Sequence, residues 1–221
     1  MSIQDFYNQT QFQESTFTSY LRMLFDDEQV NRAICLYSIG ATLDDGTVFF
    51  LIDYLGNVRT GKVVNYLRNG HRDKSDSRHP TWVHSILHSP KPEMCLFGEH
   101  LLHVDDKPVA IVEAEKTAVI CSIVYPQYQW LSVGGIGNLN ENRCKALRGK
   151  DVLIFPDTDI SGETFKLWQE KARKELYPIC HSLRVSDLLE RTATYDEKAA
   201  KIDISDLICS QIEREKEIPF Y

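Results

Sequence analysis

The sequence has no apolar run fit to cross a membrane. Stretches such as Val48–Ile52 and Val109–Val112 fall far short of the ~20 residues a spanning helix needs. It opens without a charged-then-apolar leader, since Met1–Thr10 is polar. No two of its cysteines (Cys35, Cys95, Cys121, Cys144, Cys180, Cys209) stand at C-x-x-C spacing, which argues against a zinc ribbon. Several lie in apolar runs, Cys35 in AICLYSIG and Cys121 in AVICSIVY. They read as buried reduced thiols of a cytoplasmic protein. Positive charge is not in excess either. Against 32 acids stand 25 bases, a net charge of −7, which argues against coating nucleic acid by bulk attraction but does not exclude a local basic patch. Neither an internal repeat nor a low-complexity segment occurs, and 43% hydrophobic residues supply a core that a disordered chain lacks.

The chain is long enough for two small domains. Met1–Ser15, rich in Gln and Asn, reads as a polar lead-in. Phe17, Tyr20, Leu21, Leu24 and Phe25 have helical spacing, which predicts one amphipathic helix over Thr16–Asn31. Ala33–Ile39, Thr47–Asp53 and Val58–Val64 are rich in β-branched and aromatic residues. The turn signals Asp44-Asp45-Gly46 and Leu55-Gly56-Asn57 separate them, which predicts an antiparallel meander. Asn69–Pro80 reads as a polar loop and Trp82–Leu87 as a helical turn.

From Pro108 the rhythm changes. Strands are expected at Val109–Val112, Gln129–Val133, Asp151–Phe155 and Ile179–Val185. Helices are expected at Glu115–Tyr125, Asn140–Leu147, Ser161–Leu176 and Asp203–Lys216. Alternating strands and helices indicate an α/β fold with a parallel sheet and helices on both faces. The first part is α+β, and the boundary is set at residues 1–103 and 104–221.

In such a sheet, reactive groups gather beyond the carboxyl ends of the strands. Two ends carry acids. VAIVEAEK delivers Glu113, and VLIFPDTDISG delivers Asp157 and Asp159, with Gly162 close behind. Oxygen ligands of this kind suit a hard cation, and acids brought together repel unless a cation offsets them. Each residue also has a plainer reading: Asp157 or Asp159 as a helix cap, Glu113 as a charge at a helix N-terminus.

These motifs, VEAEKTA and, beyond a GGIGN segment, LIFPDTDISGE, resemble the Toprim domain of bacterial-type DNA primases, topoisomerases and some nucleases. The likeness spans roughly Pro108–Ile208 and is nearest the primase branch of phages, plasmids and mobile elements. It implies a Toprim-like Rossmannoid sheet. It also implies Mg²⁺ or Mn²⁺ held by Glu113, Asp157 and Asp159. Asp203 and Asp206 are similar to a late acidic segment of the family, with Asp203 equally suited to cap the last helix. Lys116, Gly135 and Gly162 would meet nucleotide phosphate; Lys116 could instead pair with an acid. Where the primase branch has Gly after the first glutamate, Ala114 stands here, at a cost if that position needs a positive φ. The zinc-binding module of related primases has no counterpart in the sequence: the chain is a fragment, or a partner supplies that role, or priming has been lost.

The first part resembles the region preceding Toprim in such proteins, through FLIDYLGNVRTGKVVNY, GHRDK, WVHSIL and CLFGEHLL. Its Arg59, Lys62, Arg68, Arg72, Lys74 and Arg78, against Asp73 and Asp76, make an island of +4 in a chain that is otherwise −11. That is the footprint of a phosphate-tracking surface, with Tyr66, His79 and Trp82 as candidate stacking platforms. A solvated loop is the plainer alternative. His84 and His88 stand at helical spacing but lack a third zinc ligand.

The expectation is a primase-like nucleotidyltransferase that makes short primers. Its partners would be a single-stranded DNA template, nucleoside triphosphates and, in replication, a helicase. A metal-dependent nuclease and a degenerate Toprim binding module are the alternatives.

Overall fold

The computed structural model describes residues 1–11, 13–75, 79–104 and 106–216. The chain divides into two compact units, Met1–His100 and one beginning at Leu101.

The first unit opens with helix α1 (Ile3–Thr10) where a polar lead-in was expected. Ser2 and Asp5 form a reciprocal capping box, and Phe6 joins Val48, Phe50, Ile52, Val63 and Val83 in a core cluster, with Ile3 and Tyr7 against it. The expected helix over Thr16–Asn31 is two, α2 (Thr16–Leu24) and α3 (Asp27–Tyr37). The break lies at Phe25-Asp26. Phe25 is extended, and Asp26 opens a new capping box with Gln29. The strand expected at Ala33–Ile39 is the C-terminal part of α3, because Val30, Ala33 and Tyr37 fall on one buried helix face.

The sheet runs β1 (Gly40–Ala41), β2 (Thr47–Ile52), β3 (Val58–Val64) and β4 (Thr81–Trp82), antiparallel and in that order. All six residues of β2 are buried. Val48, Phe50 and Ile52 join the Phe6 cluster. Phe49 meets Phe17 and Phe97 edge-on, at centroid distances of 5.7 and 5.6 Å. A strand covered on both faces reads as an unbroken apolar run, and this one does. Short helix α4 (Val83–Ile86) follows β4.

Asp53 locks the β2–β3 turn. Its Oδ1 accepts from the amides of Leu55 and Asn57, each at 2.9 Å, and its Oδ2 from Arg59 Nε at 2.7 Å. Burial pushes this carboxyl up, but the Asn57 and Arg59 donors outweigh it and hold its pKa below the ordinary value.

Gly70, at φ +75°, lies on the Tyr20 ring, and a Cβ there would stand 2.3 Å from a ring carbon. Gly70→Ala is therefore expected to lower stability by about 2–3 kcal/mol, through the positive φ and the clash together; urea unfolding of the variant measures it.

The second unit is the parallel α/β layer. Its strands are β5 (Val109–Val112), β6 (Gln129–Ser132), β7 (Asp151–Ile154) and β8 (Ser182–Val185), ordered β6-β5-β7-β8 and all parallel. Helix α5 (Glu115–Val124) connects β5 to β6. Helix α6 (Glu163–Lys171), which runs on as a π-helical turn over Ala172–Leu176, connects β7 to β8. The helix expected at Asn140–Leu147 is mostly turns, closing in a 3₁₀ turn at Lys145–Leu147. Helices α7 (Leu188–Thr192), α8 (Tyr195–Ala200) and α9 (Ile204–Lys216) complete the unit. The expected class, a parallel Toprim-like sheet preceded by a helical and antiparallel part, is the class observed. Among the described residues no helix is long and apolar enough to cross a membrane.

Candidate functional site

Strands β5 and β7 are neighbours, in register from Val109↔Val152 to Ile111↔Ile154. Glu113 directly follows one and Asp157 the other by three residues. At Ala114 the backbone is extended, with φ −100° and ψ 150°, so alanine stands at this position without strain. The chain passing β6 comes close here. The Gly134 amide donates to the Glu113 carbonyl at 2.8 Å, and a Cβ on Gly134 would lie 3.1 Å from Glu115 Oε1.

Asp203 and Asp206 join this end of the sheet through α9. Asp203 caps that helix: its Oδ1 accepts from the amides of Ser205 (2.7 Å) and Asp206 (3.0 Å), while Asp206 Oδ2 accepts from the Asp203 amide at 3.0 Å. Two adjacent residues of α5 tie the cap down. Thr117 Oγ1 donates to Asp203 Oδ2 at 2.6 Å, and Lys116 Nζ to Asp206 Oδ1 at 3.2 Å. Burial opposes the Lys116 charge, but Asp203 and Asp206 outweigh it, and its pKa stands above the ordinary lysine value.

Asp157 registers the whole group. Its pKa is raised to about 8, first by burial, then by the negative charges of Asp203, Glu113 and Asp206, with Lys116 acting the other way. Four carboxylates from three separate segments thus share one field. Among the described residues no three His, Cys, Asp or Glu side chains form a ready-made cage for an ion. The group is a concentration of charge rather than a closed set of ligands. Its oxygen donors still fit Mg²⁺ or Mn²⁺, since Mg²⁺ takes one or two carboxylates and fills its sphere with water and phosphate.

Asp159 is placed differently. Its Oδ1 accepts from Ser161 Oγ at 2.6 Å and its Oδ2 from the Thr164 amide at 2.6 Å, as a cap at the head of α6. These donors hold its pKa well below the carboxylate range. Gly162, at φ +69°, is the N-cap residue of α6, and Gly135, at φ +127°, opens a 3₁₀ turn over Ile136–Asn138.

Two further residues support this end of the sheet. Thr117 is one. Glu190 is the other: its Oε1 accepts from buried Thr158 at 2.6 Å, and its Oε2 pairs with Lys198 at 3.3 Å. Thr117 lies in the VEAEKTA motif, whereas nothing in the sequence marked Glu190.

In the first unit, Arg59 is engaged by Asp53 at 2.7 Å, and half-buried Lys62 stands opposite Trp82 across β3–β4. Arg68, Arg72 and Lys74 are exposed. Arg68 lines a cavity of about 310 Å³ with Glu14, Ser15, Tyr20 and Asp45. Arg78 lies outside the described residues. The Tyr66 ring is used in packing, 5.0 Å from Phe17, and His84 bonds Thr60 at 2.9 Å.

This architecture is that of primase catalytic cores. The chain is similar to the primase fragment of the bacteriophage T7 primase-helicase protein, at 17% identity over 86% of this chain and 67% of that one, with a TM-score of 0.54. It is similar to the DnaG primase catalytic domain in a structure bound to single-stranded DNA, at 12% identity over 96% and 81%, with a TM-score of 0.55. The Escherichia coli primase catalytic core gives 13% identity over 96% and 83%, with a TM-score of 0.54. At these identities the likeness is one of fold. The chain belongs to the family described as a domain of unknown function, DUF6371, whose model matches residues 15–158. No curated protein matches it in sequence.

Proposed function

We propose that the protein is a primase-like nucleotidyltransferase that joins nucleotides into short primers on a single-stranded DNA template, in the replication of a mobile element or plasmid. The carrying observation is geometric: Glu113 and Asp157 follow adjacent parallel strands of a primase-type sheet, and Lys116 and Thr117, just beyond Glu113, bind Asp206 and Asp203 of α9. A half-buried carboxyl beside three others is costly unless a cation is to be received there.

Glu113 and Asp157 would hold Mg²⁺ or Mn²⁺, with Asp159 contributing if it leaves its cap and Asp203 and Asp206 adding field. When bound, the ions supply charge neutralisation on the triphosphate and alignment of the primer hydroxyl with the phosphorus it attacks. The residues of this chain hold the parts in place. Asp157 gives up its proton as the site fills, and the Gly134-Gly135 backbone leaves room for close passage. Arg68, Arg72 and Lys74, with Arg59, Lys62 and Arg78 of the same segment, track template phosphates. Gly135 and Gly162 are the candidate contacts to nucleotide phosphate, while Lys116, paired with Asp206, takes the alternative role of partner to an acid.

The test is incubation with single-stranded template, nucleoside triphosphates and Mn²⁺. Short new oligonucleotides that vanish in Glu113→Gln support the reading. Shortened template identifies a nuclease, and template retention without either product a binding module. Either outcome would overturn synthesis.

A further inference from the structure

Lys116 is an odd residue for its position. It occupies the first turn of α5, where the helix dipole favours negative charge and a cation is unfavourable. Its side chain is only 14% exposed, and a buried ammonium is tolerated where a negative partner stands close. Its ion pair is with Asp206 at 3.2 Å. The partner is not an incidental surface acid. It belongs to the capping box of α9, whose other member, Asp203, takes the hydroxyl of the next residue, Thr117, at 2.6 Å. Consecutive residues of α5 thus hold both acids of one helix start, immediately after the strand that delivers Glu113.

We propose that Lys116 is the resident counter-cation of this acidic group. In the metal-free protein its ammonium takes the place of divalent charge and keeps the start of α9 docked on α5, and a divalent ion entering beside Asp157 competes with it for that field. The inference rests on the metal reading above and adds a regulatory element to it. Ions bind a partly neutralised site, so affinity is moderated while the empty protein stays folded.

The experiment uses Lys116→Met, Lys116→Arg, Asp206→Asn and the double variant Lys116→Met/Asp206→Asn. Mn²⁺ uptake is followed by electron paramagnetic resonance and calorimetry, and thermal unfolding is followed without metal. Lys116→Met is expected to tighten Mn²⁺ binding about tenfold, as removal of one nearby positive charge should, while Lys116→Arg leaves it near wild type. Without metal, Lys116→Met is expected to lower Tm by several degrees. Adding Asp206→Asn should restore most of that loss, because the acid that needed the cation is gone. Unchanged or weakened Mn²⁺ binding in a folded Lys116→Met, with wild type binding normally, would overturn the competition. Additive Tm losses in the double variant would overturn the counter-cation role. Should wild type itself take up no Mn²⁺, the metal reading and the competition fail together, and the Tm cycle still decides whether Lys116 is the counter-charge. If Lys116→Met does not fold alone, recovery of folding in the double variant supports the proposal and its absence counts against it.

Discussion

Asp157→Asn is expected to abolish primer synthesis, by at least about 10²-fold in rate, and at the same time to make the metal-free protein more stable at neutral pH. The second effect follows from the sign of the displacement. The carboxyl titrates near 8 in the folded chain against an ordinary value of 3.8. Between those values the folded state holds a proton that the unfolded state has released, so stability declines as pH rises through the interval. Asparagine removes the term. Between pH 5 and pH 7.5 wild type should therefore lose about 3 kcal/mol relative to the variant, roughly 6–12 °C in Tm for a chain of this size. Thermal unfolding in chelator across that range is the measurement. Parallel pH dependence of the two proteins would show that Asp157 does not sit in the repulsive field described. Saturating Mn²⁺ should reverse the order, stabilising wild type more than the variant.

The second large effect belongs to the first unit and has the opposite sign. Asp53→Ala removes the acceptor for two turn amides and leaves Arg59 without its partner. A loss of about 3 kcal/mol is expected, near 6–12 °C. The Asp53 pKa is depressed, so its contribution is complete above the ordinary carboxylate value of 3.8 and is lost as pH falls below it. The Tm gap between wild type and variant should be full at pH 7 and narrow on acidification below about pH 4. Asp53→Asn, which keeps an acceptor oxygen, should recover part of the loss. A gap that widens in acid would mean that the depression is not there.

What the sequence made legible was set by how local the cause was. Strands β5, β6 and β7 could be read because short apolar runs end at turn residues, and β2 because burial on both faces makes it continuously apolar. Helix α1 carried a signal that the composition masked: Ile3, Phe6, Tyr7 and Thr10 have helical spacing behind a Ser2–Asp5 box. The Phe25-Asp26 break was less visible, since the apolar spacing continues through it and only the Asp26–Gln29 box marks a new start. Ala33–Ile39 misled because β-branched and aromatic residues suit either element, and the arbiter, burial of Val30, Ala33 and Tyr37 on one face, is tertiary.

The candidate site divides in the same way. Glu113 and Asp157 stood out at strand ends. The plainer reading of Asp159, a helix cap, was legible as well, since its partners Ser161 and Thr164 are close in sequence. The engagement of Arg59 by Asp53, the packing of Tyr66 against Phe17 and the bond from Thr158 to Glu190 all depend on residues far away or on turn geometry. For Asp203 the plain expectation of a helix cap and the family's acidic segment describe one residue seen twice, since it caps α9 and acts on Asp157 as well.

The position of α9 in the chain has a bearing on synthesis at the ribosome. The antiparallel sheet has its strands between Gly40 and Trp82 and can assemble early, as domains made N-terminal first commonly do. Glu113 emerges ninety residues before Asp203, so β5 and β7 can pair while their acids are still few. Only when α9 arrives and Thr117 and Lys116 find Asp203 and Asp206 does the full negative charge come together. The nascent chain is thereby spared the mutual repulsion of its carboxylates until most of the surrounding layer is in place.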